Sequence, residues 1–142
     1  MRLVDLDPGD SRLETGVLAV LQELRPHLTA ELFTVVYREG HQQGLRYLAA
    51  YEDELCVGVA GWRFMATTTA LRKLYVDDLV TSEKHRGSGV GKALIAELVE
   101  RARVFGCRVF DLDSGVQRVD AHRFYMREGL AITSFHFVRR LD

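Results

Sequence analysis

A chain of 142 residues has the length of one compact domain, and its 47% apolar and 27% charged residues exclude a disordered or low-complexity polypeptide. Nineteen Lys and Arg against 20 Asp and Glu leave a formal charge of −1, which excludes the basic stripe of a general nucleic-acid binder. Two cysteines, Cys56 and Cys107, make no disulfide framework, and no apolar run approaches the ~18–20 residues of a membrane span.

The first segment, Met1 to Pro8, carries acids where a secretory leader carries its apolar core, so a cytoplasmic protein is expected. Arg2 to Leu6 alternate as a strand does, and Asp7-Pro8-Gly9-Asp10 is a turn. Leu13, Val17, Leu18, Leu21 and Leu24 fall at helical spacing over residues 12–25 before Pro26 interrupts. Thr29 is placed to cap a second helix with Leu32, Phe33, Val36 and Tyr37 on one face. Three strand-like runs follow, over 45–51, 55–66 and 71–81, separated by Glu52-Asp53-Glu54 and Thr67-Thr68-Thr69. Their short links predict an antiparallel meander.

The pattern then changes. After a loop over 82–89, Val90, Leu94, Leu98 and Ala102 mark a helix to Phe105, and Cys107 to Leu112 read as a short buried strand. A connection through a helix predicts that this strand runs parallel to the one before the loop. A short helix over 121–127 and a final strand over 131–141 complete an α/β chain with a mixed, mostly antiparallel sheet, one central parallel strand pair and flanking helices. No linker or internal repeat divides residues 1–142, which read as a single domain.

The loop Arg86-Gly87-Ser88-Gly89-Val90-Gly91-Lys92 carries the most chemistry. It follows a strand and opens a helix, so it offers free backbone N–H groups at the positive end of the helix dipole, a fit for phosphate or pyrophosphate. Arg86 and Lys92 add charge. A Walker loop requires Gly where Arg86 stands and Ser or Thr where Ala93 stands. The dinucleotide fingerprint fails at Lys92 or Leu94, although Asp111 lies at a suitable distance for its acidic residue. The five histidines (27, 41, 85, 122 and 136) show no metal spacing, so no metal is expected.

The run Arg86 to Gly91 resembles the acetyl-CoA signature of the GCN5-related N-acetyltransferase (GNAT) family, and Ala121-His122-Arg123-Phe124-Tyr125 through Gly129-Leu130 resembles that family's later Ala-x-x-Phe-Tyr…Gly-Phe segment. Leu130 departs from the usual Phe, and Arg118 stands where many members have Asn. The order of elements along the whole chain matches that fold. The resemblance implies direct transfer of an acetyl group from acetyl-CoA to a primary amine of a small molecule. Arg86, Gly87, Ser88, Gly89, Val90, Gly91 and Lys92 would grip the pyrophosphate. Leu79, Val80 and Thr81 would run beside pantetheine and polarise the thioester carbonyl. Homodimers are common in the family, and the alternative on the same fold is a catalytically silent acyl-CoA sensor.

By the same resemblance Tyr125 is the acid for the leaving thiolate. A phenol's ordinary value of ~10 lies close to a thiol's ~8.5, so the proton transfer is nearly balanced. Asp77 and Asp78 are adjacent on the third long strand and should face opposite sides of the sheet, where one of them is costly unless it lines a cleft. The stretch Tyr75 to Val80 resembles the one in which polyamine-acetylating members carry an acid at the Asp77 position. Asp77 is therefore the candidate base, acting through ordered water or by orienting a cationic acceptor. Asp113, Ser114 and Arg118 fall in the loop after the last parallel strand, where ligands gather in open α/β sheets, with no role assigned.

Overall fold

A computed structural model describes all 142 residues. Its strands are β1 (Arg2–Leu6), β2 (Arg46–Glu52), β3 (Leu55–Thr67), β4 (Leu71–Thr81) and β5 (Val109–Leu112), and its helices are α1 (Leu18–Leu24), α2 (Ala30–Gln42), α3 (Val90–Val104) and α4 (Val119–Arg127). The first helical segment is not uniform: Leu13–Val17 is wound as a π-helix leading into α1. Thr29 caps α2 as its sequence suggested, its Oγ1 accepting from Leu32 N at 3.2 Å. The strands form one sheet in the order β1-β2-β3-β4-β5. The pairs from β1 to β4 are antiparallel, and β4 with β5 is parallel through Lys73↔Val109 to Val76↔Leu112.

Each sheet face carries its own core. On one face the π-helix, α1 and α2 bring Val17, Leu21, Phe33 and Tyr37 against Tyr47, Val59 and Val80. Tyr37 Oη donates to Leu6 O at 2.6 Å, which ties α2 to β1 without leaving a buried hydroxyl unpaired. On the other face Leu94 and Leu98 of α3, one turn apart and fully buried, pack on Leu48, Val57, Leu74 and Val76. Each such leucine contributes roughly 1.5–3 kcal/mol by leaving water.

The alternation of β4 is broken once. Gly61 of β3 stands opposite Asp78 and Trp62 opposite Val76, so Asp77 has no partner residue and forms a β-bulge. Leu74 and Val76 face the α3 core, whereas Val80 belongs to the α1/α2 core. The extra residue resets the phase between them. Asp77 and Asp78 thus both lie on the α1/α2 face, correcting the expectation that they oppose one another. Gly61 permits this arrangement: a Cβ there would sit 2.8 Å from the Tyr47 ring and 3.0 Å from Asp78 Oδ2, and these two groups meet across it.

Two other expectations change. β5 is shorter than residues 107–112, and none of its residues is fully buried. The final strand expected over 131–141 is not formed: those residues carry no secondary structure and all are exposed. Alternating apolar residues make a strand only against a neighbour, and here none is present. β5 therefore ends the sheet, and the parallel pair lies at its margin.

Candidate active site

β4 runs to Thr81, but its pairing with β5 stops at Val76. Beyond that point β4 stays with β3 while the chain after Leu112 turns away, and a cleft of about 810 Å³ opens in the gap. This is the carboxyl end of a parallel pair, the position where ligands lodge in open α/β sheets. One wall is the end of β4 (Leu79, Val80, Thr81), a second is the loop into α3, and the third is α4 with Phe124 and Tyr125.

The loop is shaped for an anion. Gly89 is the N-cap of α3 with φ +88°, and no side chain caps the helix. The first intrahelical bond is Ala93 N–H to Gly89 O at 3.0 Å, so the N–H groups of the first turn are free. A left-handed φ costs a residue with a Cβ roughly 1–2 kcal/mol, which accounts for glycine at that position. Arg86 and Lys92 border the cleft from this side. Of the loop residues named from sequence, only Ser88 does not line it; its hydroxyl donates to His85 O.

α4 supplies residues that the sequence left unassigned. Arg118, the N-cap position of α4, and Arg127, in its last turn, both border the cleft. Neither they nor Arg86 and Lys92 enter any ion pair. Four cations against Asp120 and Glu128 give the cleft a positive excess that the chain's net charge conceals. Tyr125 is 8% exposed, packs in the α3 core and lines the cleft.

Asp77 is not among the residues lining this cleft. Its carboxylate is held by Arg63 at 2.9 and 3.0 Å. Asp78 accepts from Arg25 Nε and from Tyr47 Oη, both at 2.9 Å, and Arg25 Nη2 also reaches the Asp77 carbonyl at 3.1 Å. Two carboxylates, two guanidiniums and a phenol thus share the α1/α2 face immediately before Leu79. Burial pushes the Asp77 carboxyl above its ordinary range, with Arg63 opposing the shift. Burial, and then the Asp78 charge, push the Tyr47 phenol strongly upward, so it stays a donor to Asp78. Trp62 points to the other face, in the α3 core.

The remaining candidates lie outside the cleft. Asp111 Oδ2 pairs with Lys73 Nζ at 2.9 Å, and Asp113 accepts from Tyr75 Oη at 2.8 Å. Neither they nor Ser114 line the cleft. Cys56 is buried and its thiol pushed up to about 11, and no three His, Cys, Asp or Glu side chains converge as metal ligands.

This architecture, a bare glycine-rich helix start facing a splayed parallel strand pair, is that of an acetyltransferase fold. The chain belongs to the acetyltransferase (GNAT) family, whose model matches residues 16–130. It is 32% identical over 124 residues to an uncharacterised N-acetyltransferase of Bacillus subtilis, covering 83% of this chain and 84% of that one. It is also 38% identical over 66 residues to the aminoalkylphosphonate N-acetyltransferase of Salmonella typhimurium. That match spans 46% of this chain and 43% of the relative. Among solved structures, an aminoglycoside N-acetyltransferase in complex with CoA superposes with TM-score 0.85 at 17% identity, covering 99% of this chain and 93% of that one. A ribosomal-protein-alanine N-acetyltransferase from Brucella melitensis superposes with TM-score 0.79 at 21% identity, covering 99% and 100%. These two establish the shared fold.

Proposed function

We propose that the protein transfers the acetyl group of acetyl-CoA directly to the primary amine of a small molecule. The observation that carries this reading is the cleft itself, with the uncapped start of α3 and Arg86 on one side, Tyr125 on the other, and the end of β4 between them. The residues present fit the co-substrate. The first-turn N–H groups of α3 suit its pyrophosphate, and Arg86, Lys92, Arg118 and Arg127 suit its charge. Residues 79–81 pair with β3 along one edge only, so backbone groups on their other edge are open to an extended pantetheine chain and to the thioester oxygen.

In this scheme the acceptor nitrogen attacks the thioester carbonyl, the C–S bond breaks, and an amide and free CoA result. The departing sulfur takes a proton from Tyr125 Oη, and the ammonium's proton leaves toward Asp77 through water. The α1/α2 face suits an acceptor bearing both an ammonium and an anion, since Asp77 and Asp78 stand beside Arg25 and Arg63. The Salmonella relative acts on aminoalkylphosphonates, which carry both charges. The test is release of free CoA thiol with acetyl-CoA and a panel of amines: an aminoalkylphosphonate, an amino acid, a polyamine and an aminoglycoside. Amine-dependent release, fastest with the zwitterionic acceptors, is expected. Thermal stabilisation by acetyl-CoA with no amine accelerating release would make the protein a sensor instead.

A further inference from the structure

A second hollow lies away from the cleft, between α2 and the segment that joins β1 to α1. Its volume is about 250 Å³, and none of its lining residues borders the cleft. Sites for drug-sized ligands run to ~300–1,000 Å³, so this one takes a small molecule and has no room for a CoA or a peptide.

The floor is apolar. Leu13, Leu18 and Phe33 line it and are 8%, 9% and 4% exposed. The winding of the chain brings the two leucines there. Leu18 N–H bonds to Leu13 O and closes the π-turn over Leu13–Val17. In a regular α-helix, residues five apart point roughly 140° away from each other. The wider π-turn reduces that angle, and both side chains face the hollow. Single π-turns are uncommon and gather at functional sites.

The rim is charged. Asp10, Glu14 and Arg38 border the hollow. Asp10 is already committed, since its carboxylate accepts from Arg12 N, Nε and Nη2 at 3.0, 3.0 and 2.8 Å. Glu14 and Arg38 enter no ion pair, with each other or with any other residue. Two opposite charges that border one hollow without reaching each other complement a ligand that carries both. A diamine would set like charge against Arg38, a dicarboxylate would do so against Glu14, and a sugar would leave the apolar floor without a partner.

We propose that this hollow is a second ligand site, separate from the cleft, for a free α-amino acid with an aliphatic side chain. The amino acid's carboxylate meets the planar fork of Arg38 and its ammonium meets Glu14. Its side chain lies on Leu13, Leu18 and Phe33 and removes their remaining apolar surface from water.

The test is titration calorimetry of the full chain with L-leucine, in the absence of acetyl-CoA, so that the result does not depend on the acetyl transfer proposed above. Saturable binding of one leucine is expected. Isopentylamine lacks the carboxylate and 4-methylpentanoate lacks the ammonium, and each should bind roughly tenfold or more weakly, as the loss of one charge-assisted hydrogen bond requires. Glu14→Gln and Arg38→Met alter exposed side chains and should weaken leucine binding by a similar factor with an unchanged far-UV circular dichroism spectrum. Asp78→Asn, on the active face, should bind leucine as the wild type does. In the wild type, leucine should also slow hydrogen exchange at the Leu18 amide, which closes the π-turn. No binding of leucine, analogues that bind as tightly as leucine, or binding that survives both rim variants would each overturn the proposal. Loss of binding in Asp78→Asn alone would do the same by placing leucine at the active face. Should a rim variant unfold, leucine-dependent protection of the wild-type Leu18 amide decides, and its absence sinks the site.

Discussion

Arg63 grips Asp77 with both arms of its guanidinium, Nε to Oδ2 at 2.9 Å and Nη2 to Oδ1 at 3.0 Å, and it does so at the one residue of β4 that has no partner across the sheet. A bidentate pair fixes direction as well as charge. The bulge aims the carboxylate and the arginine holds it there. Burial raises the Asp77 pKa above its ordinary 3.8, so the rising limb of kcat/KM against pH should lie above that value. Activity is lost as pH falls through the raised pKa. Asp77→Asn should remove that limb and lower kcat by about 10²-fold, within the range of a lost general base. The stability linkage has the opposite sense. A raised carboxylate pKa favours the folded state fully below the unfolded value, and that contribution is lost as pH rises through the folded value. The Tm difference between wild type and Asp77→Asn should therefore move in the variant's favour from acid toward neutral pH. A base limb that survives in Asp77→Asn would remove the residue from proton transfer.

Arg63 itself is a positioning residue. Its hydrogen bonds and charge lower the Asp77 pKa against burial, so Arg63→Met should move the same limb to higher pH. A purely structural role would lower the amount of active enzyme and leave the pH profile in place.

Tyr125→Phe keeps the ring that packs in the α3 core and removes only the hydroxyl. Turnover should fall by about 10²-fold, while the KM for acetyl-CoA and the Tm stay near their wild-type values. Unchanged turnover would exclude Tyr125 as the acid.

Leu98 separates stability from function. It is fully buried in the α3 core, two turns from the helix start at Val90. Leu98→Ala should cost about 2–5 kcal/mol through lost transfer energy and the cavity left behind. For a chain this long each kcal/mol is worth roughly 2–4 °C, so differential scanning calorimetry should show a Tm drop of roughly 5–15 °C. Acetyl-CoA affinity measured on the folded protein should be unchanged.

The loop and its helix were legible in the sequence because glycine spacing, an amphipathic register and a preceding strand all point one way. Leu79 to Thr81, Arg86 to Lys92 (apart from Ser88) and Tyr125 do converge on one cleft. Three features were not legible. The bulge at Asp77 arises from how β3 and β4 register, through Gly61, and strand alternation read from one chain has no means of counting the neighbour's residues. Arg118 and Arg127 enter the cleft because α4 swings across it, a long-range packing result. The tail over 131–141 has a strand's pattern but forms no strand, because it lies against no open strand edge and a ladder requires one.

Gly89 gives the sharpest test of the loop. Its φ of +88° and its place as the N-cap of α3 mean that Gly89→Val meets two obstacles. The backbone must leave the left-handed region or bear a strain of roughly 1–3 kcal/mol, and either outcome disturbs the N–H groups that face the cleft. Gly9 provides the control, since it has φ +93° with nothing within 4 Å of the place a Cβ would take and lies outside the cleft. Gly9→Val should carry a similar strain. Both variants should lose a few degrees of Tm, and only Gly89→Val should lose the thermal shift produced by acetyl-CoA. If Gly89→Val binds acetyl-CoA as tightly as Gly9→Val does, the start of α3 does not hold the pyrophosphate, and the charge of Arg118 and Arg127 on the opposite wall would have to bind it.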